Sequence, residues 1–256
     1  MSVDMHPGMP GATRLLALLA CRDEMRFLPG YFANLSSQVD GIIALDDGST
    51  DGSAEFIASQ PSTLELIRLP VREPHCWDEP RNRRLLIEAA TRQRAQWVLA
   101  QDADERIERG FRARAEALIA STAESGIQAF ALKFRELWNA PDQYRVDGVW
   151  DHKRQARLFR LRADAQLDER SLHGHWAPIN SATERGFRQV DLCLYHLRMI
   201  EPIDRQARRD RYLLLDPDRK FQAIGYDYLT DESSLELATI PDGRGYEPMF
   251  DAPAQS

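Results

Sequence analysis

The chain has 256 residues, 43% of them hydrophobic and 29% charged, with a formal net charge of -7. That length supports a full buried core, as one large domain or one domain with an elaboration, and the acidic balance excludes a surface-wide footprint for nucleic acid, leaving at most a local basic groove. Cys21, Cys76 and Cys193 are odd in number and widely spaced, so they form neither a disulfide framework nor a zinc motif, and a reducing cytoplasm is expected.

Residues 1–12 are Met-, Pro- and Gly-rich, the composition of a loose leader. Arg14 followed by Leu15-Leu16-Ala17-Leu18-Leu19-Ala20-Cys21 has the outline of a short lipoprotein signal. Its apolar stretch before the cysteine is shorter than the ~7–15 residues of a signal core, so residues 15–20 read as a first buried strand. No apolar run approaches the ~18–20 residues of a membrane helix. Met25, Leu28, Tyr31, Phe32 and Leu35 fall at helical spacing. Residues 42–45 form a second strand, and the Gly-Ser-Thr-Asp turn after it offers caps for a short helix through Phe56 and Ile57. Residues 64–69 alternate as a strand. Asp78-Glu79-Pro80 has the form of a helix start, with Leu85, Leu86, Ala89 and Ala90 on its inner face. Residues 97–100 are a fourth strand and 111–120 a helix, a rhythm that predicts an α/β doubly wound, mostly parallel sheet over residues 14–120. The second half is less regular, with strands at 128–134, 156–161 and 190–197 and a basic helix at 201–215.

Two aspartate clusters close the second and fourth strands: Asp46-Asp47-Gly48-Ser49-Thr50-Asp51 and Asp102-Ala103-Asp104-Glu105. Ligands of parallel α/β sheets bind beyond the carboxyl ends of the strands, so both clusters should face one crevice. The first strand runs into Cys21-Arg22-Asp23-Glu24 without a glycine fingerprint, and no Walker loop is present, which disfavours NAD, FAD and glycine-cradled phosphate. Phosphate held through Mg²⁺ or Mn²⁺ on carboxylates remains. In an extended segment Asp102 and Asp104 point to the same side and can address one ion. Either cluster alone is equally good turn and cap chemistry.

Residues 18–24, 44–51, 79–83 and 98–105, in this order and spacing, resemble segments of the family 2 glycosyltransferases, inverting enzymes of the GT-A fold that use nucleotide-diphosphate sugars. The resemblance covers residues 14–110 well and the remainder in outline. It implies a GT-A-like, Rossmann-type, mostly parallel sheet flanked by helices, with an acceptor-side C-terminal elaboration. It also implies that Asp46 or Asp47 binds the base or ribose, that Arg22 and Glu24 lie against the base, and that Arg81 or Arg83 approaches the phosphates. Asp104 would bind Mn²⁺ or Mg²⁺ directly, and Asp102 the ribose or the ion's water shell. His196 could complete the metal site or be an ordinary hydrogen-bonded residue.

An inverting transfer needs a general base for the acceptor hydroxyl. Residues 156–160 with Leu172-His173 resemble a block of lipopolysaccharide-core and related family 2 enzymes, in which an acidic residue follows the histidine; here Gly174 stands in that place. Asp151, Asp168, Glu169, His173 and His175 stay as candidates, Asp151 and His173 being preferred. Trp138, Trp150 and Trp176 offer flat faces to an acceptor sugar or pack in the core. Arg205, Arg208, Arg209 and Arg211 suit peripheral contact with a glycolipid or membrane surface, but Asp204 and Asp210 among them favour a solvated helix.

The expected organisation is a leader at 1–12, one domain at 13–215 with a nucleotide-binding half (13–125) and an acceptor half (126–215), and an extension at 216–256 packed on it. The expected protein is a cytoplasmic transferase that moves a sugar from a nucleotide-diphosphate donor to a glycan or glycolipid of the cell envelope, peripheral to the inner face of the membrane. A sugar-1-phosphate nucleotidyltransferase and a catalytically silent relative that binds carbohydrate or nucleotide are the alternatives.

Overall fold

The computed structural model describes residues 13–122, 126–182 and 187–250; the expected leader lies outside them. Among the described residues, ten strands and five α-helices follow in the order β1 (Leu15–Cys21), α1 (Leu28–Leu35), β2 (Ile42–Asp46), α2 (Ser53–Ser59), β3 (Thr63–Arg68), α3 (Glu79–Arg92), β4 (Trp97–Ala100), β5 (Glu105–Ile107), α4 (Phe111–Ala120), β6 (Ala129–Glu136), β7 (Gln143–Arg145), β8 (Arg154–Arg160), β9 (Arg188–His196), α5 (Pro202–Leu215) and β10 (Leu237–Thr239). Eight strands make one sheet in the order β3-β2-β1-β4-β8-β6-β9-β5, and β10 pairs with β7 apart from it. The first four are mutually parallel. β8 runs against both β4 and β6, β9 runs with β6, and β5 runs against β9.

The period-2 alternation of a strand divides the core in two. On β1, Leu15, Ala17 and Leu19 face one cluster with α1, α2 and α4, through Tyr31, Phe32, Leu35, Ile57 and Phe111. Leu16 and Leu18 face the other, with Leu86, Ala89 and Ala90 of α3. Burial on both faces explains why these strands read as unbroken apolar runs. α3 begins as its sequence suggests: Asp78 accepts the Arg81 amide at 3.0 Å and a proline occupies the first turn.

The short β5 was not foreseen, and it shapes the molecule. In sheet order it lies four places from β4, about 19 Å away were the sheet flat. The chain from Ala100 to Glu105 spans at most about 17 Å even if fully extended, and it contains a turn in which the Glu105 amide donates to the Asp102 carbonyl at 3.0 Å. The sheet therefore curls, bringing its β9-β5 edge round to the carboxyl end of β4. Arg106, buried, pins this turn by donating to the carbonyls of Ala103, Glu105 and Phe27.

Removing the α3 cap by Asp78→Ala is expected to lower stability by about 1 kcal/mol, read as a fall in urea midpoint at unchanged m-value.

Candidate active site

The carboxyl ends of β1 and β2 lie side by side, with Cys21 paired to Asp46. Asp46 accepts the Ser49 amide at 3.1 Å through Oδ2, while its Oδ1 is buried and has no partner. Asp47, 1% exposed, accepts from Asn82 (3.2 Å) and Arg72 (3.3 Å) and faces His75 Nε2 at 3.2 Å. It thereby ties the segment between β3 and α3 to the end of β2. Ser49, Asp51 and Ser53 accept the amides of Asp23, Met25 and Glu24 at 2.9–3.0 Å and knit the loop after β1 to the loop after β2. Asp51 of the expected turn caps α2 by accepting the Ser53 amide at 2.9 Å, while the N-cap position itself is Gly52 at φ 92, a left-handed conformation that glycine enters without a Cβ penalty. Arg22 Nε, Arg72 Nε and Asn82 Oδ1 are, like Asp46 Oδ1, buried without a partner. Orphans of this kind are uncommon in folded proteins, and those beside the end of β2 are open to further hydrogen bonding. Arg22 Nε makes no hydrogen bond but forms an ion pair with Asp23 Oδ2 at 3.5 Å.

The second aspartate cluster is not extended, which corrects the expectation that Asp102 and Asp104 project to one side. The turn at 102–105 sends them apart. Asp102 pairs with Arg157 of β8 at 2.8 Å, and the same guanidinium holds the buried Glu105 at 2.5 Å. Asp104 accepts from Arg198 Nε at 2.5 Å and lies 3.3 Å from His196 Nε2. Pairing of Glu105 with His196 in the β5-β9 ladder produces that approach.

Around His196 the charges alternate. Its Nδ1 faces Glu136, a carboxylate that only accepts, so Nδ1 carries a proton. Lys153 also pairs with Glu136. Arg208 of α5 reaches His196 Nε2 at 3.0 Å. Burial pulls the imidazole down, but Glu136 and Asp104 outweigh it and push it up to about 9. Although burial alone would raise them, Glu136 and Asp104 are held below the ordinary carboxylate range, Glu136 mainly by His196 and Lys153 and Asp104 mainly by Arg198 and His196. Arg198 also makes a two-oxygen pair with Glu24 at 2.5 Å, yet burial, with Asp104 and Asp102 nearby, pushes Glu24 up to about 7.

The other predicted residues are placed as follows. Arg81 gives its amide to the cap, and among the described residues its side chain makes no ion pair. Arg83 is buried and donates to the Asp168 carbonyl and to Glu79 (3.4 Å), so it anchors the loop at 168–176. Gly174, where the related block carries an acidic residue, lies against the Arg83 guanidinium, and a Cβ there would stand 2.5 Å from Arg83 Nη2. Asp168 organises that loop through Arg170 and the His175 amide, and Glu169 pairs with Arg84. Asp151 pairs with Arg135 at 2.9 Å, and Arg135 is the β6 neighbour of Glu136, on the opposite face. The structure therefore does not bring Asp151 to His196. It does bring His173 close, since Tyr212 contacts both the His173 ring (5.0 Å) and Arg208 (5.6 Å). Trp138 and Trp150 are core residues, packed edge to face at 5.7 Å. The solvated reading of the basic helix fails at Arg205, which is buried over Trp138 and donates to the Met199 and Ile200 carbonyls, and at Arg208. Arg157 lies in the 156–160 block, but nothing local showed that it reaches Asp102 and Glu105, and Arg198 and Glu136 gave no signal because Asp104, Glu24 and His196 lie far from them in sequence. Among the described residues no group of three or more His, Cys, Asp or Glu side chains is arranged to hold a metal ion.

No family model matches the chain. Uncharacterized proteins of Mycobacterium tuberculosis and Mycobacterium bovis are each 28% identical over 236 residues, covering 87% of this chain and 57% of the relative; the chain thus spans little more than half of their length. A crystal structure of S. aureus TarS residues 1–349 in complex with UDP superposes with a TM-score of 0.50 at 12% identity, over 82% of this chain and 72% of that one. The fold is of the GT-A type. A glucosyl-3-phosphoglycerate synthase from Mycobacterium tuberculosis, in complex with Mn²⁺, UDP and glucosyl-3-phosphoglycerate, gives a TM-score of 0.47 at 15% identity over 93% of this chain and 94% of that one, a likeness too low to build on. In this GT-A sheet the two aspartate clusters, Arg198 and His196 gather at the carboxyl ends of the parallel strands.

Glu79, at the start of α3, is pushed up to about 7 by burial against the opposing pull of Arg83. A carboxyl raised on folding binds its proton more tightly in the native state, so its contribution is fully present below the ordinary value near 4.5 and is lost as pH rises through about 7. Glu79→Gln is expected to flatten the decline of unfolding free energy between pH 4.5 and 7, measured by urea titration across that range.

Proposed function

We propose that the chain transfers a sugar from a nucleotide-diphosphate donor to a hydroxyl of a glycan or glycolipid, with inversion and with a divalent cation held at Asp104 and His196. The supporting observation is the convergence, at the carboxyl ends of the parallel strands, of the Asp46 patch with its bare acceptor and the Asp104–His196 pair flanked by Arg198 and Arg208. Asp46 is the better candidate for the nucleoside, because Asp47 already has partners while Asp46 Oδ1 has none.

The spacing of the two donors supports such an ion, which would have to displace Arg198 from Asp104 Oδ2 and Arg208 from His196 Nε2. Asp104 Oδ2 and His196 Nε2 are 3.3 Å apart, near the ~3 Å edge of an octahedron with ligands at about 2.1 Å. Glu136 fixes the His196 tautomer so that Nε2 can present a lone pair once its second proton leaves. Two protein ligands suffice where phosphate oxygens and water supply the rest, and an imidazole among them suits Mn²⁺ better than Mg²⁺. When bound, the cation would stabilise negative charge on the departing diphosphate. Arg198 and Arg208 would take over part of that charge once Asp104 and His196 are engaged. The envelope acceptor and the cytoplasmic location belong to this reading; the observation at hand is that no helix among the described residues is long and apolar enough to cross a membrane.

A thermal-shift panel of nucleoside-diphosphate sugars with and without Mn²⁺ tests the proposal. A true donor at a hundredfold excess over Kd stabilises by about 2.7 kcal/mol. Asp104→Ala should abolish the Mn²⁺-dependent part of the shift. Glu136→Gln should weaken Mn²⁺ affinity roughly 10–100-fold, as loss of an outer partner does at other metal-bound histidines. If no nucleotide raises the melting temperature with either ion state, the transferase reading is wrong.

A further inference from the structure

Far along the chain, residues 216–226 reach back to His173. Asp216, 2% exposed, accepts the Tyr226 hydroxyl at 2.8 Å and the amides of Lys220 (2.6 Å), Phe221 (3.2 Å) and Gln222 (3.2 Å). Tyr226, fully buried, lies with its hydroxyl 3.2 Å from His173 Nε2. The Tyr212 ring stacks on Tyr226 at 5.0 Å and contacts His173 at 5.0 Å.

Proton counting fixes the state of this chain. Burial would raise Asp216, but Tyr226 and the backbone amides outweigh it and hold the carboxyl below its ordinary value, so it is ionised and only accepts. The single Tyr226 proton is spent on it. Toward His173 the tyrosine oxygen can then only accept, so His173 Nε2 carries a hydrogen. In the neutral ring Nδ1 is left with a free lone pair. The groups facing His173 are Tyr212, Tyr226, Asp216, Arg208, Lys153 and Arg170; burial first, then the cations, depress its pKa against the pull of Asp216. Arg208 and Tyr212 lie one turn apart on α5, so the residue that touches His196 and the residue that touches His173 share a helix face.

We propose that Tyr226 and Asp216 form a positioning relay that locks His173 with Nδ1 bare, making His173 the general base toward the acceptor hydroxyl. This rests on the transferase reading above. As the hydroxyl oxygen bonds to the anomeric carbon, its proton passes to Nδ1. The bond from that carbon to the diphosphate oxygen breaks, and its electron pair leaves with the nucleoside diphosphate.

The test uses the full chain labelled with ¹⁵N-histidine, Tyr226→Phe, which keeps the ring and removes the hydroxyl, and His173→Gln. Long-range ¹H–¹⁵N correlation should show His173 as the Nε2-protonated tautomer in the wild type and a tautomer mixture in Tyr226→Phe. Nucleoside diphosphate release, with water as acceptor and the donor of largest melting shift, should fall in kcat by roughly 10²–10⁴-fold in His173→Gln and on the order of tenfold in Tyr226→Phe. KM for the donor and the nucleotide-induced melting shift should hold within about twofold, since uniform binding is untouched. A contact that serves packing alone would leave tautomer and kcat unmoved. An unchanged tautomer in Tyr226→Phe overturns the relay, and near-wild-type kcat in His173→Gln overturns the base. If no donor binds or turns over, the base role falls with the transferase reading, while the tautomer spectrum still decides the relay.

Discussion

Taking a carboxylate out of water is costly unless a cation or hydrogen-bond donors replace its hydration. Glu24, Asp102, Asp104, Glu105 and Glu136 converge behind the end of β4, three of them nine-tenths or more buried as whole residues. Mutual repulsion would expel them without Arg157, Arg198, Lys153, Arg208 and His196, which interleave between them. The rest of the arrangement follows from meeting that requirement, including which strands must approach and where the helix after β9 must lie.

The cations come almost wholly from the second half of the chain and the carboxylates mostly from the first. Arg157 of β8 clamps the two ends of the 102–105 turn, and Arg198, just after β9, joins that turn to the loop after β1. The sheet's curl is the geometric counterpart of this charge exchange. Without it β5 could not reach β9, and Asp104 would face solvent instead of His196. The same lattice holds the guanidinium groups of Arg157, Arg198 and Arg208 in place beside the crevice.

Much of the fold could be read from the chain itself, since β1 to β4 and α1 to α4 follow local apolar periodicity and the Asp78 cap. β5, β7 and β10 escaped because three-residue strands carry too little pattern to register. At the site, the aspartates were legible from their place at strand ends, but their division of labour was not. Nothing local distinguishes Asp47, consumed by Asn82, Arg72 and His75, from Asp46, which keeps a bare oxygen. Asp102 and Asp104 were misjudged in direction because a turn replaced the extended segment. Arg205 and Arg208 were misjudged because aspartates at 204 and 210 suggested solvent, whereas tertiary packing over Trp138 and against His196 decides their burial.

Asp104 and His196 are 92 positions apart, and the register that joins them is the last one in the sheet. During synthesis, strands β1 to β4 are complete long before Arg157, Arg198 and His196 exist to pair with the carboxylates of the turn that follows them. Arg106 can already hold the backbone of that turn, but the carboxylates of Asp102, Asp104 and Glu105 must stay hydrated until the later strands arrive. Only when β9 and α5 emerge can the crevice close, so the chemistry becomes available no earlier than the fold is finished.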